Sequence, residues 1–289
     1  MCYRHVATLV LIKSVIKSKG APIEDAISEG RSAVLWHVVG TNLHLMGSIH
    51  VLEQTRHGLF PEAEHIYQTA HRVTFEHDMV TPPNPTLTQN IVGMPLSTQV
   101  PPAVFANTAR EWANLGLDPA RLEQLQPWVA AIAIAFIHAA RRGIDEAHGV
   151  DKVLWGRTDQ DGKTRTTLEK PGDALAIFGL SPAHEKASFL DYATNPPTAF
   201  QDDIDVMIEA WHNHDDGTFE RILDHRLRMW PVGFEKLVTG RNRAWIPDLV
   251  QLAADRIPTL VVIGALHCVG KEGIPKLLEG QGSRLSRVV

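Results

Sequence analysis

Largely apolar runs patterned as interior β-strands stand at the two ends of this chain, while the stretch between them is patterned for helices. Leu43 to Ile49 is one, and Thr259 to Ile263, continuous in apolar character after its first residue, is the other. Such runs, bounded by turn residues, suit strands buried on both faces of a sheet. From Pro102 to about Gly240 the spacing is almost wholly helical, clearest from Pro127 to Arg142, and only Thr166 to Leu168 suggests a strand. Pro171, Pro182, Pro196, Pro197 and Pro231 mark the breaks between helices. A chain patterned this way buries its strands only by bringing its two ends into one sheet. The expected fold is α/β: a mixed, mostly parallel central sheet built from the N- and C-terminal segments, with a large helical insert subdomain. On this reading residues 1–33 are an N-terminal extension and 34–289 a single domain, with a sheet core at 34–80 and 242–289 and a helical subdomain at about 101–241.

Within the first block, Leu35 to Val39 and Leu43 to Ile49 read as strands joined by a tight turn at Gly40, Thr41 and Asn42. Pro61 opens a helix, and Arg72 to Glu76 follows as a strand, completing a βαβ unit whose consecutive strands are expected to be neighbours. Thr81 to Pro102 is a proline-rich excursion, a lid or a surface loop. The last block gives a helix from about Asn242 to Asp255, the strand from Thr259, a turn from Gly264 to Gly270, a helix from Ile274 to Leu278 and a final strand from Arg284 to Val289.

With 44% hydrophobic residues and a net charge of -5, the chain is neither a disordered nor a generally nucleic-acid-binding composition. Its two cysteines, Cys2 and Cys268, supply no disulfide framework and no cysteine-rich zinc module, so histidine and carboxylate must hold any metal. The longest apolar run, Val129 to Ile137, falls short of the roughly 18 residues a membrane span needs. Val6 to Ile12 follows Arg4 but is itself followed by Lys13, Lys17 and Lys19 and by no clean cleavage site, so no clear signal peptide is read.

Chemistry is suggested by an internal echo. Gly47-Ser48-Ile49-His50 and Gly264-Ala265-Leu266-His267 both end an apolar strand with Gly-x-x-His. In parallel sheets, reactive groups gather at the carboxyl ends of strands, where loops vary over a fixed frame. Glu76 closes the βαβ unit that His50 opens, so it is expected at the same edge. Two imidazoles and a carboxylate suffice to bind a divalent transition metal with positions left for water. The alternative is a pair of histidines that hydrogen-bond within the sheet or at helix termini.

These pieces resemble the TraB/PrgY/GumN family, which includes the Tiki metalloproteases and is distantly similar to erythromycin esterases and ChaN-like proteins. The resemblance rests on Leu45-Met46-Gly47-Ser48-Ile49-His50-Val51-Leu52, Val73-Thr74-Phe75-Glu76 and Val261-Val262-Ile263-Gly264-Ala265-Leu266-His267, with Gly270 and Gly273 behind. Pro127-Trp128, Gly149-Val150-Asp151, Leu168-Glu169 and Arg241-Asn242 stand between them in the family's order, so it covers about Leu35 to Val289. It implies a hydrolase with His50, Glu76 and His267 as metal ligands, a divalent ion (Mn, Co or Zn), and Arg241 and Asn242 approaching from a helix start. Glu76, Arg241 and Asn242 are then the candidate catalytic residues. Arg241 would clamp a carboxylate or oxyanion, or serve as a structural ion pair, and Asn242 would orient water or cap its helix. Ser48, His77, Asp78 and Cys268 depart from the family's usual residues. Many members are extracytoplasmic.

His212-Asn213-His214-Asp215-Asp216 imitates a metallo-β-lactamase motif but follows helix-like spacing, so a helix end is expected. His184-Glu185 lacks a zincin's second histidine, no Gly-x-Ser-x-Gly surrounds Ser48, and Gly264 to Lys271 is not a phosphate loop. Cys268 is read as a buried residue whose neighbour His267 points to the opposite strand face. The leading expectation is a metal-dependent hydrolase of peptides or another small substrate, with the helical subdomain covering the site. The rivals are a non-catalytic protein binding a peptide, metal or small ligand, and a metal-free esterase-like hydrolase using a His/Glu pair.

Overall fold

The computed structural model describes residues 34–56, 58–79, 94–170, 176–177, 179–196 and 198–288. The Val6 to Ile12 segment and most of the proline-rich excursion from Thr81 lie outside them. The fold is mixed α/β, and its described residues fall into two compact units.

One unit takes 94–143 and, beyond 175, residues up to 204. It is helical. Pro127–Arg141 packs against Ala183–Thr194, which also meets Pro102–Asn114. Ten residues of Pro127–Arg141 are buried, among them Trp128, Val129 and Ile134, so this helix is apolar on most of its circumference and is a core helix. Proline stands at the first helical position of both Pro127–Arg141 and Pro102–Asn114, where its missing N–H costs no intrahelical bond.

The other unit takes 34–79, 144–170 and 205–288 and holds the sheet. Residues 144–170 and 205–241, read from the sequence with the helical part, thus group with the strands. The strands are β1 (Leu35–Val38), β2 (Leu43–Ser48), β3 (Leu52–Glu53), β4 (Arg72–Phe75), β5 (Ile144–Asp145), β6 (Thr164–Thr167), β7 (Thr259–Gly264) and β8 (Leu285–Arg287). Six form one sheet in the order β6-β4-β7-β2-β1-β8. β6, β4, β7 and β2 run parallel, and β1 is antiparallel to β2 and β8.

The β1–β2 hairpin turns where Gly40 takes φ 85°, and Thr41 Oγ1 ties the turn by donating to Val38 O at 2.7 Å and accepting from Leu43 N at 3.1 Å. Every residue of β7 is buried, as its apolar run demands of an interior parallel strand. Leu260, Val261, Val262 and Ile263 each contribute about 1.5–3 kcal/mol on burial. The expectation that β2 and β4 are neighbours is corrected: β7 lies between them, with Ser48 opposite Gly264 and Phe75 opposite Val262. An even more apolar strand from the far end of the chain takes the central place, yet all three strands still end at one edge.

The stretch from Pro102 to Gly240 is not helical throughout. Gly143, at φ 81°, ends the helix Pro127–Arg141, and β5 then pairs antiparallel with β3, Asp145 opposite Leu52. Val150 N donates to Ile49 O at 2.9 Å, so the segment opening the helix Val150–Gln160 runs along the chain that carries His50. A turn of π-helix, Glu235–Gly240, leads into Arg241–Ala254, one residue earlier than the expected start. β8 covers Leu285–Arg287 of the expected final strand.

Candidate functional site

The ends of β2, β4 and β7 deliver His50, Glu76 and His267 to one place, and Gly264 marks its centre. A Cβ on Gly264 would lie 3.1 Å from His50 Nε2, 3.2 Å from Glu76 Oε1 and 3.6 Å from His267 Cδ2. The glycine therefore leaves open the space on which the three side chains converge. The two Gly-x-x-His motifs are not equivalent in this respect, because a Cβ on Gly47 would strike Val34 Cγ1 at 2.3 Å, a demand of packing rather than of the site.

Glu76 is buried, and both its oxygens are engaged. Oε1 accepts from Gly264 N at 2.5 Å and Oε2 from Arg241 Nη2 at 2.7 Å. Burial alone would raise its pKa, but Arg241, the two histidines and the Gly264 N–H outweigh it and hold the carboxyl well below the usual range. Arg241 is itself buried and spans two carboxylates, donating from Nε to Glu169 Oε1 at 2.7 Å and from Nη2 to Glu169 Oε2 at 3.0 Å. Nη1 faces Leu237 O at 3.2 Å and His267 Nε2 at 3.3 Å. The Arg241 guanidinium also sits 4.6 Å over the Trp245 ring, whose Nε1 donates to Glu169 Oε1 at 3.0 Å.

Each histidine is held from behind. His50 Nδ1 meets Asp151 Oδ2 at 2.5 Å, and His267 Nδ1 meets Asn242 Oδ1 at 2.5 Å. His267 is buried, on a 3₁₀ turn over Ala265–Cys268, with its ring 4.7 Å from Trp245. Burial lowers its pKa to about 3, against the pull of Glu76. His50 differs: its side chain is 52% exposed while Asp151 is buried. Desolvation pulls its pKa down, but Asp151 and Glu76 carry it up to about 9. The pair therefore combines one imidazole facing solvent with an anionic partner and one sealed imidazole with a neutral partner.

All five residues named from the sequence, His50, Glu76, Arg241, Asn242 and His267, are in this unit and linked by these contacts. Asn242 is neither a cap nor free, since its Nδ2 donates to Glu272 O at 2.7 Å. Sequence reasoning did not place Asp151 and Glu169 in the site, although both lay in motif pieces. One available signal was Gly149: a Cβ there would lie 2.2 Å from His50 O, so this glycine lets the Asp151 segment lie against His50. Cys268 is buried and its thiol is pushed up to about 12 by that burial, so it is inert as expected. The reason is corrected, because His267 and Cys268 share a turn rather than a strand with opposite faces. The His212 decoy is a helix end, with Asp215 Oδ1 accepting from Thr218 N at 3.0 Å to cap the next helix.

Two imidazole nitrogens and a carboxylate are a donor set suited to a divalent transition metal. Among the described residues no group of three or more His, Cys, Asp or Glu side chains already stands in metal-holding geometry, and His267 Nε2 is 3.7 Å from Glu76 Oε1. Among the described residues, no helix is long and apolar enough to cross a membrane.

The TraB/PrgY/gumN family model matches residues 34–287, a span that contains every residue of the site. Comparison with curated proteins and with solved structures gives no match. By that match the chain belongs to the TraB/PrgY/gumN family.

Proposed function

We propose that this chain is a metal-dependent hydrolase acting on peptide bonds or related carbonyl groups, with His50, Glu76 and His267 holding the ion. The observation that carries the reading is the arrangement around Gly264: both imidazoles are pinned at Nδ1, by Asp151 and Asn242, and His50 Nε2 and Glu76 Oε1 converge on the space that glycine leaves. A second partner that fixes ring and tautomer is the usual support of a metal-ligating histidine. A divalent ion there supplies a Lewis acid for a carbonyl and a nucleophile from water near neutral pH.

The chain's own residues divide the remaining work. Glu76, kept ionised, is assigned to holding the ion rather than to taking up a proton. The five N–H groups of Arg241 face Glu169, Glu76, Leu237 O and His267, so its role is to fix Glu76 rather than to clamp an oxyanion. His50, half open to solvent, gives the approaching substrate its way in.

A metal-free hydrolase using the His50/Glu76 pair is the second reading, favoured by the His50–Asp151 contact; with His50 carried up to about 9, its imidazole takes a proton from water only in the alkaline range, so this reading expects activity to rise toward that pH. Elemental analysis of protein purified without chelator, and after reconstitution with Mn, Co or Zn, separates the two. One equivalent of metal in the wild type, lost in both His50→Ala and His267→Ala, is expected. Full occupancy in either variant overturns the ligand assignment. A peptide-library cleavage assay with the same metals then separates an enzyme from a protein that only sequesters its ligand.

A further inference from the structure

We infer that Asn242 is a positioning residue that fixes the proton of His267 on Nδ1, so that Nε2 always presents a lone pair to the Glu76 side of the site. The amide of Asn242 has one orientation open to it. Its nitrogen faces two backbone carbonyls, Glu272 O at 2.7 Å and His267 O at 3.4 Å, which only accept. The amide oxygen must therefore face His267 Nδ1, 2.5 Å away, and an acceptor there requires Nδ1 to carry the hydrogen. The other edge of the ring gives the same answer independently. Nε2 lies 3.3 Å from Arg241 Nη1, and a guanidinium has donors only, so Nε2 is an acceptor.

Two contacts on opposite edges of one buried ring thus assign a single tautomer, and on the Nδ1 edge the Glu272 carbonyl sets it, relayed through one amide. The His50 side is built differently. Asp151 accepts twice, from His50 Nδ1 at Oδ2 and from Lys152 N at Oδ1, 3.0 Å away, so that position needs a carboxylate. Position 242 needs one acceptor and one donor, which an amide has and a carboxylate lacks. The inference deepens the proposed function, and rests on it only for the use made of the lone pair, which a bound ion would take over from Arg241 Nη1.

The test reads the tautomer directly, without metal or substrate. Histidine labelled with ¹⁵N in the metal-free full chain is observed by long-range ¹H–¹⁵N correlation at pH 7.5, and His267 is assigned by the signals missing in His267→Gln. A neutral ring protonated at Nδ1 is expected in the wild type. In Asn242→Ala, with only the longer Arg241 contact left to favour Nδ1–H, the signals should move part of the way toward the Nε2–H form. Asn242→Asp should keep Nδ1–H while lowering the urea midpoint, because Glu272 O loses its donor. A wild-type ring protonated at Nε2 overturns the inference, as does a folded Asn242→Ala with an unmoved tautomer. Should Asn242→Ala not fold, the wild type and Asn242→Asp still decide. Failure of the metal reading shows separately, as wild-type protein that takes up no ion while the tautomer result stands.

Discussion

His50 and Asp151, 101 residues apart in sequence, meet at 2.5 Å between Nδ1 and Oδ2, across a contact made when the segment after β5 lies along the segment after β2. Because Asp151 also accepts from Lys152 N, the isosteric Asp151→Asn turns an amide nitrogen toward one of two donors. Under the metal reading this substitution lowers affinity for zinc or manganese by about 10–100-fold, the usual effect of losing a ligand's orienting partner. Chelator competition measures it, with circular dichroism as the check on folding. Unchanged affinity would remove Asp151 from the site's support.

Arg241 bridges the buried Glu76 and the partly buried Glu169, and Arg241→Met leaves both without their cation. An unpaired buried charge typically costs about 3–5 kcal/mol, so urea denaturation should show a loss of that order. Arg241→Lys keeps the charge but not the fork that reaches two carboxylates, so it should fall between wild type and methionine. A Met variant as stable as wild type would show that the two acids find other partners.

The parts of this fold that were legible in the sequence are those whose signal is local. The buried run of β7, the Gly40 hairpin and the Pro61 helix each carry their own pattern, and so do the two Gly-x-x-His ends. What was not legible is pairing at long range. Nothing in Leu43 to Glu76 announces that β7 will enter between β2 and β4, because parallel partners leave no mark on one another's sequence. β5 has only two residues and no periodicity to detect. Asp151 and Glu169 are single acids whose place in the site depends on where Val150–Gln160 and β6 are laid down, whereas His50, Glu76 and His267 sit at strand ends that the pattern itself locates.

Two histidines away from the site set an acid limit on stability. His44 is lowered to about 4 by burial and then by His37, which stacks on it at 4.7 Å, and burial with Arg56 lowers His212 to about 4. In the unfolded chain both take up protons from about 6.5 downward, so between about pH 6.5 and 4 the unfolded state binds more protons than the fold. Stability therefore falls as pH falls through that window, and these two groups contribute no slope above it. Urea midpoints at pH 7.5, 6 and 5 should decline, and His44→Gln should decline less steeply. Parallel slopes in the two proteins would show that His44 charges as freely in the fold as in the open chain.

Gly264→Ala tests the geometry of the site with one methyl group. The backbone of Gly264, at φ -57° and ψ 141°, is open to alanine, so the substitution brings no strain of its own. Its Cβ enters at 3.1 Å from His50 Nε2 and 3.2 Å from Glu76 Oε1, closer than ordinary contact, and must push these groups apart by a few tenths of an ångström. Since His50 is half exposed and can yield, the fold should persist with a melting temperature within a few degrees of wild type. Metal uptake should fall at least tenfold, because the methyl takes the space the donors share. Gly47→Ala supplies the contrast: its Cβ meets Val34 at 2.3 Å and Ala265 Cα at 3.1 Å, so the loss there should be chiefly in stability. Wild-type metal uptake by Gly264→Ala would mean that His50, Glu76 and His267 converge on that space without sharing a ligand in it.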